Sequence, residues 1–215
     1  RIAGSGVSNS ATGDYPLAGV AITGLSGPSI RSTTAGTLRA GTVTALSHDL
    51  DLGVEMLGSI TALSGQATIR SAGALVVGAI ERYHDVGLLA SGSVEVRGNQ
   101  HTFGSYSIHG RNVWLVPDIA VMAAAGIAID ASGRIESAAL FNTSGAIRIV
   151  SSGDILLRDS ALLSPNAVKV QAGGNLTTSN FGIYGASIDA SAGGLVQLDR
   201  TLFESGGTLA IVGRD

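Results

Sequence analysis

The chain of 215 residues has no cysteine, a single tryptophan and few charged side chains. Without cysteine it has no disulfide and no thiolate ligand for a metal. Charged residues make up 13% of the sequence, and Lys169 is the single lysine among 13 basic residues. The formal net charge of −3 argues against nucleic acid as a partner, because that partner requires a basic face to neutralise phosphates.

Aromatic residues are also scarce, at 4%, although 45% of the residues are hydrophobic. The apolar side chains are mostly Val, Ile, Leu and Ala, which suit a narrow and regular core. No apolar run approaches the roughly 18–20 residues of a membrane-spanning helix. The chain starts at Arg1, without a methionine or a signal peptide, and lacks cysteine, so we expect a fragment of a longer, secreted protein.

Internal repeats of about 20 residues run along the chain, a sign of a repeat architecture. Five glycines stand 20 residues apart, at Gly133, Gly153, Gly173, Gly193 and Gly213. One column of aliphatic residues contains Ile30, Leu50, Ile69, Leu88, Ile108, Ile127, Ile147, Val168, Ile188 and Leu209. A second contains Val54, Leu75, Val94, Val113, Ile135, Ile155, Leu176 and Val196. A looser third contains Ile60, Ile80, Phe103, Val121, Leu140, Leu162, Ile183 and Phe203.

Alternation of apolar and other residues around these columns predicts short strands with one buried face, as in Ile147-Arg148-Ile149. Gly, Ser, Asn and Asp between the strands predict corners, where a positive φ is favoured. Stacked repeats of this kind form an all-β parallel β-helix, with about ten coils of about 20 residues over a single segment, 1–215. Residues 1–29 fit the repeat poorly and are expected to form an irregular first coil. Helices over 75–89 and 117–128 are the alternatives, but period two persists in the second of these ranges.

The residue after each position of the first column is expected to point outward. Arg31, Asp51 and Arg70 then form a ladder of alternating charge, and Lys169 faces Asp189. Arg148 and Lys169 are neighbours of like charge. They are either part of a solvated face that supports the register or a patch that contacts an anion or a glycan.

Trp114 also points outward, in Val113-Trp114-Leu115. Its indole either covers a neighbouring coil or stacks on a sugar ring. Trp114, Arg148 and Lys169 are therefore the candidate binding residues. Residues 75–120, where the repeat loosens, are the place to look for a local site.

Catalytic and metal-binding patterns are missing. The aspartates at 130, 154, 159, 189 and 199 are scattered over turns, and His48, His84, His101 and His109 have no partner at metal-ligand spacing. We therefore predict no enzyme activity, no metal site and no cofactor. A β-helical polysaccharide lyase or glycosidase is the alternative, and it would need two carboxylates brought together by adjacent coils.

The clearest repeats resemble those of filamentous haemagglutinin-type adhesins, whose coils recur as A-G-G-[ND]-[LI]-x-[LV]. The resemblance is carried by three runs, Gly153-Asp154-Ile155-Leu156-Leu157, Ala172-Gly173-Gly174-Asn175-Leu176-Thr177 and Ala192-Gly193-Gly194-Leu195-Val196-Gln197-Leu198. The N-P-N-[LG] motif of the family's secretion domain is missing, and only Ser164-Pro165-Asn166 is present. The chain thus resembles the central shaft of such an adhesin.

The resemblance implies a right-handed β-helical rod on the surface of a Gram-negative bacterium, exported by two-partner secretion through a cognate outer-membrane transporter. It implies attachment to host-cell glycans or receptors, and thereby a role in virulence. An autotransporter passenger and a phage fibre segment are alternatives with the same architecture. Bare strand edges at an uncapped end of such a rod predict end-to-end self-association.

Overall fold

The computed structural model shows an all-β chain wound into a parallel β-solenoid. It describes residues 2–214 apart from 5–6, 12–14, 25–28, 35–37, 46–48, 54–55, 63–65 and 72. Side chains are described for residues 68–69, 71 and 73–214, with the exception of residue 82. The described parts contain no helix, so the helical alternatives for 75–89 and 117–128 are wrong. In particular, they contain no helix long and apolar enough to cross a membrane.

The first strands, for which the backbone is described, are β1 (Ile2–Gly4), β2 (Val7–Ala11), β3 (Tyr15–Gly24), β4 (Ser29–Thr34), β5 (Leu38–Ala45), β6 (Asp49–Gly53), β7 (Met56–Ala62) and β8 (Gln66–Ser71). Next come β9 (Leu75–Tyr83), β10 (Asp85–Ala90), β11 (Val94–Val96), β12 (Gln100–Thr102), β13 (Ser105–Gly110), β14 (Val113–Leu115), β15 (Ala120–Ala123) and β16 (Gly126–Ala131). The remainder are β17 (Ile135–Ser137), β18 (Leu140–Thr143), β19 (Ala146–Ser151), β20 (Ile155–Leu163), β21 (Ala167–Ala172), β22 (Leu176–Gly185), β23 (Ser187–Ala192), β24 (Val196–Ser205) and β25 (Leu209–Val212).

Successive turns of the solenoid pair through parallel strands about 20 residues apart, as the repeats predict. Over residues 75–214, which the structure describes with nearly all side chains, the solenoid has about seven turns, fewer than the ten expected over 1–215. Residues 75–214 contain seven of the ten column positions on which the sequence estimate rests. The other three, Ile30, Leu50 and Ile69, precede this stretch.

Each turn has three sides. The 14-stranded sheet divides between β9 and β20 into two branches, one through β11, β14 and β17 and the other through β12, β15 and β18. The 11-stranded sheet, which ends with β19, β21, β23 and β25, forms the third side. We name the outer surfaces face 1 (β11, β14, β17), face 2 (the 11-stranded sheet) and face 3 (β12, β15, β18). The long strands β9, β20, β22 and β24 contribute their first halves to face 1 and their second halves to face 3.

The second predicted column is confirmed from Leu75 to Val196, because each member pairs with the next in register. Its first member, Val54, lies outside the described residues. From Leu75 to Leu176 these side chains are at most 1% exposed, so they form one wall of the core.

The first predicted column needs a correction at two steps. In the backbone register Leu50 pairs with Ala67, and the partner of Ile69 is Leu52.

The second step lies between Ile108 and Ile127. Ile108 pairs with Ile129, and the partner of Ile127 is Tyr106. The side chains of Ile108 and Ile127 both point inward, so the predicted orientation is correct but the predicted register partner is wrong. The reason is that the corner between β14 and β15 is two residues longer than the equivalent corner between β11 and β12, so the spacing rises from 19 to 21 residues for the strands that follow. Period-two alternation tolerates such a shift.

The third column is wrong at two of its positions. The residue stacked between Ile80 and Val121 is Gln100, and the partner of Val121 in the next turn is Phe141. Phe103 and Leu140 point outward instead and are 52% and 37% exposed. Residues 100–104 alternate between buried and exposed without interruption, so Gln100 occupies the inward position and Phe103 points outward.

The predicted charge ladder is broken in the backbone register. Arg31 pairs with Asp51, but Asp51 pairs with Thr68, and Arg70 pairs with Gly53. The side chains of Arg31, Asp51 and Arg70 lie outside the described residues.

The glycine corners are explained by close packing of backbones. Among the described residues Gly126 is the one glycine with positive φ; the other positive values belong to Asp118, Asp159, Asn180 and Arg200. Gly153 donates its N–H to the carbonyl oxygen of Gly133 at 2.9 Å, and a Cβ at Gly153 would collide with that oxygen. The glycines 20 residues apart therefore let successive corners approach each other.

Candidate functional site

Trp114 lies at the centre of face 1, in the middle of the three-residue strand β14. The flanking residues Val113 and Leu115 are buried in the core, which directs the indole outward, and Trp114 is 45% exposed. Its partners in register are Glu95 of the preceding turn and Glu136 of the following turn. The ring is therefore bounded by a carboxylate about 4.8 Å away along the solenoid on either side, measured between strand backbones.

Glu95 forms a two-pronged ion pair with Arg97 on the same edge of the ring. The Nε and Nη2 atoms of Arg97 donate to the two carboxylate oxygens at 2.6 and 3.1 Å. This hydrogen bonding, together with the negative charge, raises the pKa of Arg97. The pair fixes the direction of both side chains, as bidentate geometry does.

Glu136 is paired with two arginines on the other edge. Arg158 Nη2 donates to one carboxylate oxygen at 2.8 Å, and Arg134 Nη2 lies 3.3 Å from the other. Arg134 is two residues before Glu136, whereas Arg158 comes from the next turn. Winding of the chain thus assembles Trp114 and these charged residues from four successive turns.

The Trp114 site consists of Trp114, Glu95, Arg97, Glu136, Arg134 and Arg158. It presents an exposed aromatic plane between fixed acceptors and donors. An aromatic face packs against the apolar side of a flat ligand, while oriented polar groups at its rim determine which ligand is accepted. This arrangement matches the needs of a sugar ring, with its apolar face and peripheral hydroxyls.

The sequence reasoning selected Trp114 but missed the residues around it. A signal was available, because Glu95 and Glu136 occupy the outward position after Val94 and Ile135 of the second column. The outward positions of that column therefore place both glutamates beside Trp114. The contact of Arg158 depends on side-chain direction and has no such signal.

Arg148 and Lys169 lie on face 2, in a different sheet from Trp114. They are register partners, as predicted, and Lys169 is also opposite Asp189. Arg148 donates to a carboxylate oxygen of Asp130, and His109 Nε2 lies 3.8 Å from the second oxygen. Arg148 is therefore already matched by a carboxylate.

Several scattered aspartates stabilise corners. Asp154 accepts a hydrogen bond at 2.7 Å from the N–H of Asn175, one turn later. Asp159 accepts one at 3.2 Å from the side chain of Asn180. Within the part of the chain that the structure describes, no three His, Asp or Glu side chains are grouped to hold a metal ion.

The chain has no significant match among protein-family models, curated proteins or solved structures.

Proposed function

We propose that this chain is a non-enzymatic segment of the shaft of a secreted bacterial surface adhesin, and that it attaches to glycans through the Trp114 site. The observation that carries the proposal is the exposed indole of Trp114 between two carboxylates, each held by arginine. The half-exposed indole presents a flat apolar surface that the ring of a ligand can cover.

The ligand is a glycan in which one pyranose ring stacks on the indole. In that pose its hydroxyls reach Glu95 and Glu136 as acceptors and the guanidinium groups as donors. Arginine-held carboxylates lose little conformational freedom on binding, which favours affinity. A short strand such as β14 in a solenoid also holds the site on a rigid element.

The regularity of the solenoid supports the role of a shaft. The A-G-G-type repeats extend this proposal to a filamentous haemagglutinin-like adhesin, with a right-handed coil and export by two-partner secretion. Under this proposal the segment separates and displays attachment sites at the cell surface. The host-cell partner is then a surface glycan or glycoprotein.

The test is a glycan panel probed with the purified chain, followed by titration calorimetry on any glycan that binds and by adhesion to host cells. We expect Trp114→Ala to weaken glycan binding by about tenfold or more, since the stacking surface is lost. Trp114→Phe, which keeps a smaller aromatic face, should retain part of the affinity.

Met122→Ala is the matched control, because it removes an exposed apolar side chain from face 3 and leaves face 1 intact. Glycan binding that Trp114→Ala leaves unchanged would contradict the assigned site. Absence of binding to every glycan and host cell would contradict the adhesive role. Cleavage of a polysaccharide that depends on Glu95 and Glu136 would show instead that the chain is a glycoside-cleaving enzyme.

A further inference from the structure

Face 3 differs from the other two faces in having almost no charge. Strand by strand, its outward residues alternate with buried ones, as in β18, where Leu140 and Asn142 point outward and Phe141 and Thr143 inward. From Phe103 to Leu202, the register-paired outward positions contain no Asp, Glu, Lys or Arg. Glu81 and Glu204 bound this stretch at its two ends.

Six apolar residues among the outward positions of face 3 form an apolar stripe along the solenoid axis, one in each turn from β12 to β24. They lie in adjacent register rows, and Asn142 stands between Met122 and Leu163 in one of these rows. Phe103, Met122, Leu140 and Leu202 are 52%, 42%, 37% and 55% exposed. Between them lie Leu163 and Tyr184, both half-buried, and the ring of Tyr184 lies over Gly182. The full stripe consists of Phe103, Met122, Leu140, Leu163, Tyr184 and Leu202.

The surface beside the apolar stripe is not flat. A groove of about 720 Å³ lies beside it, lined by Glu81, His101, Phe103 and Met122 among others. His101 packs against Phe103, with ring centroids 5.5 Å apart. Phe103 therefore projects next to a depression of a size that accepts a side chain from a facing surface.

We propose that face 3 is a lateral interface, in which the apolar stripe packs against the same stripe of a second copy of this chain. The stripe has no charge to match, so its partner must be an uncharged apolar surface. Its side chains repeat with the strand spacing of about 4.8 Å. The same face of a second copy supplies both properties along the whole length, and a two-fold contact of this kind is self-complementary.

The other faces do not offer this self-pairing. Face 2 carries the like-charged neighbours Arg148 and Lys169, and face 1 carries the Glu–Arg pairs around Trp114. Bringing either face against its own copy would desolvate these charges. Face 3 is therefore the side on which two solenoids pack at the lowest electrostatic cost.

The size of face 3 predicts a weak dimer. Seven turns at the strand spacing give roughly 30 Å, and about four residues of strand give roughly 13 Å. About 400 Å² per copy, or about 800 Å² in total, is below the 1,200–2,000 Å² of stable complexes. We expect a dissociation constant on the order of 100 µM.

Sedimentation equilibrium of the purified chain tests the proposal over concentrations from about 10 µM to about 1 mM, which bracket the expected constant. Met122→Glu, which places a charge in the centre of the stripe, should weaken dimerisation by about tenfold or more. Gln171→Glu adds the same charge at an exposed position of face 2 and should leave dimerisation unchanged. Circular dichroism establishes that both variants keep the fold.

A second measurement uses the absence of cysteine. With a single cysteine introduced as Asn142→Cys, maleimide labelling should slow as the protein concentration rises through the dissociation constant, because face 3 becomes covered. Labelling of Gln171→Cys should stay constant. This readout also separates lateral pairing from end-to-end association, which would leave the cysteine on face 3 accessible.

A monomer throughout the concentration range would overturn the proposal. So would association that Met122→Glu does not weaken, or labelling of Asn142→Cys that does not depend on concentration. A glycan whose binding is lost in Met122→Glu, without any self-association, would assign face 3 to a different partner. Because Trp114→Ala should leave dimerisation intact, failure of the lateral interface is distinguishable from failure of the glycan site.

Discussion

Gln100 pairs with Ile80 of the preceding turn, and its side chain is completely buried in a column of apolar residues. The Nε2 atom donates to the carbonyl oxygens of Gly78 and Gly98, each at 2.7 Å. The Oε1 atom is buried without a hydrogen-bond partner among the described residues. Gln100 thus provides hydrogen bonds to two backbone carbonyl groups at a corner, while its own carbonyl oxygen is left without one.

We expect Gln100→Leu to destabilise the solenoid by about 2 kcal/mol. Leucine relieves the unpaired Oε1 atom and adds apolar contacts, but it leaves two carbonyl oxygens of the corner unpaired, and each such loss costs about 1–3 kcal/mol. Urea denaturation followed by circular dichroism measures the change. Val121→Leu, one turn later in the same column, controls for the introduction of a leucine; a gain of stability in Gln100→Leu would contradict the role assigned to Nε2.

Tyr106 presents the opposite case, in which a buried polar group serves no backbone partner. Its side chain is 1% exposed, and its hydroxyl has no hydrogen-bond partner among the described residues. Tyr106→Phe removes only that hydroxyl, so we expect a gain of about 1 kcal/mol in the free energy of unfolding. Tyr184→Phe, on the outer surface, should change it little. Equal or lower stability in Tyr106→Phe would show that the hydroxyl is paired in solution.

Buried tyrosines also make the stability depend on alkaline pH. Burial raises the pKa of Tyr83 and of Tyr106 well above the ordinary value of about 10. The folded state holds the protons of these two hydroxyls more tightly than the unfolded state does. The free energy of unfolding that this difference provides is fully present below about pH 10 and is lost as the pH rises further. Above that pH we expect the free energy of unfolding to fall by about 1.4 kcal/mol per pH unit for each tyrosine.

Urea midpoints measured between about pH 8 and about pH 12 span the ordinary tyrosine pKa and test this dependence. The double variant Tyr83→Phe/Tyr106→Phe should lose most of the slope. If the slope is the same in the double variant, the loss of stability at alkaline pH has another origin.

The stacked glycines give a prediction with an internal control. A Cβ at Gly153 would collide with the carbonyl oxygen of Gly133, so we expect Gly153→Ala to destabilise the chain by about 3 kcal/mol. Gly73 has no atom within 4 Å of the place where its Cβ would be. Gly73→Ala should stabilise by about 0.5 kcal/mol, through the lower entropy of the unfolded chain. Thermal unfolding of the two variants compares them directly, and similar melting temperatures would refute close packing as the reason for glycine.

The second column shows how much of the fold the sequence predicts. Seven of its members, from Leu75 to Val196, are register partners in the structure, because their spacing follows the length of each turn. The third column fails at Phe103 and Leu140 because a neighbouring residue occupies the inward position in each case, Gln100 in β12 and Phe141 in β18. The hydrophobic pattern favours the wrong residue in β12, since Phe103 is apolar and the inward Gln100 is polar.

The candidate site, too, was predictable from the sequence in part. Exposure of Trp114 was predictable from the buried residues on either side of it, and the outward positions of Glu95 and Glu136 follow the same rule. Contact of Arg158 with Glu136 was not predictable, because it depends on the direction of a long side chain across a turn. The apolar stripe was also beyond prediction, since the third column had to be corrected before its outward residues could be identified.

The sequence by itself determined that the chain is a parallel solenoid with a repeat of about 20 residues and that the apolar residues of the second column line its core from Leu75 to Leu176. Period-two alternation and regular spacing are local properties that specify inward and outward positions. The tertiary structure alone decided which outward residues meet, because the length and shape of each corner determine the pairing of one turn with the next. The face bearing Trp114 and the uncharged face from Phe103 to Leu202 are consequences of that pairing.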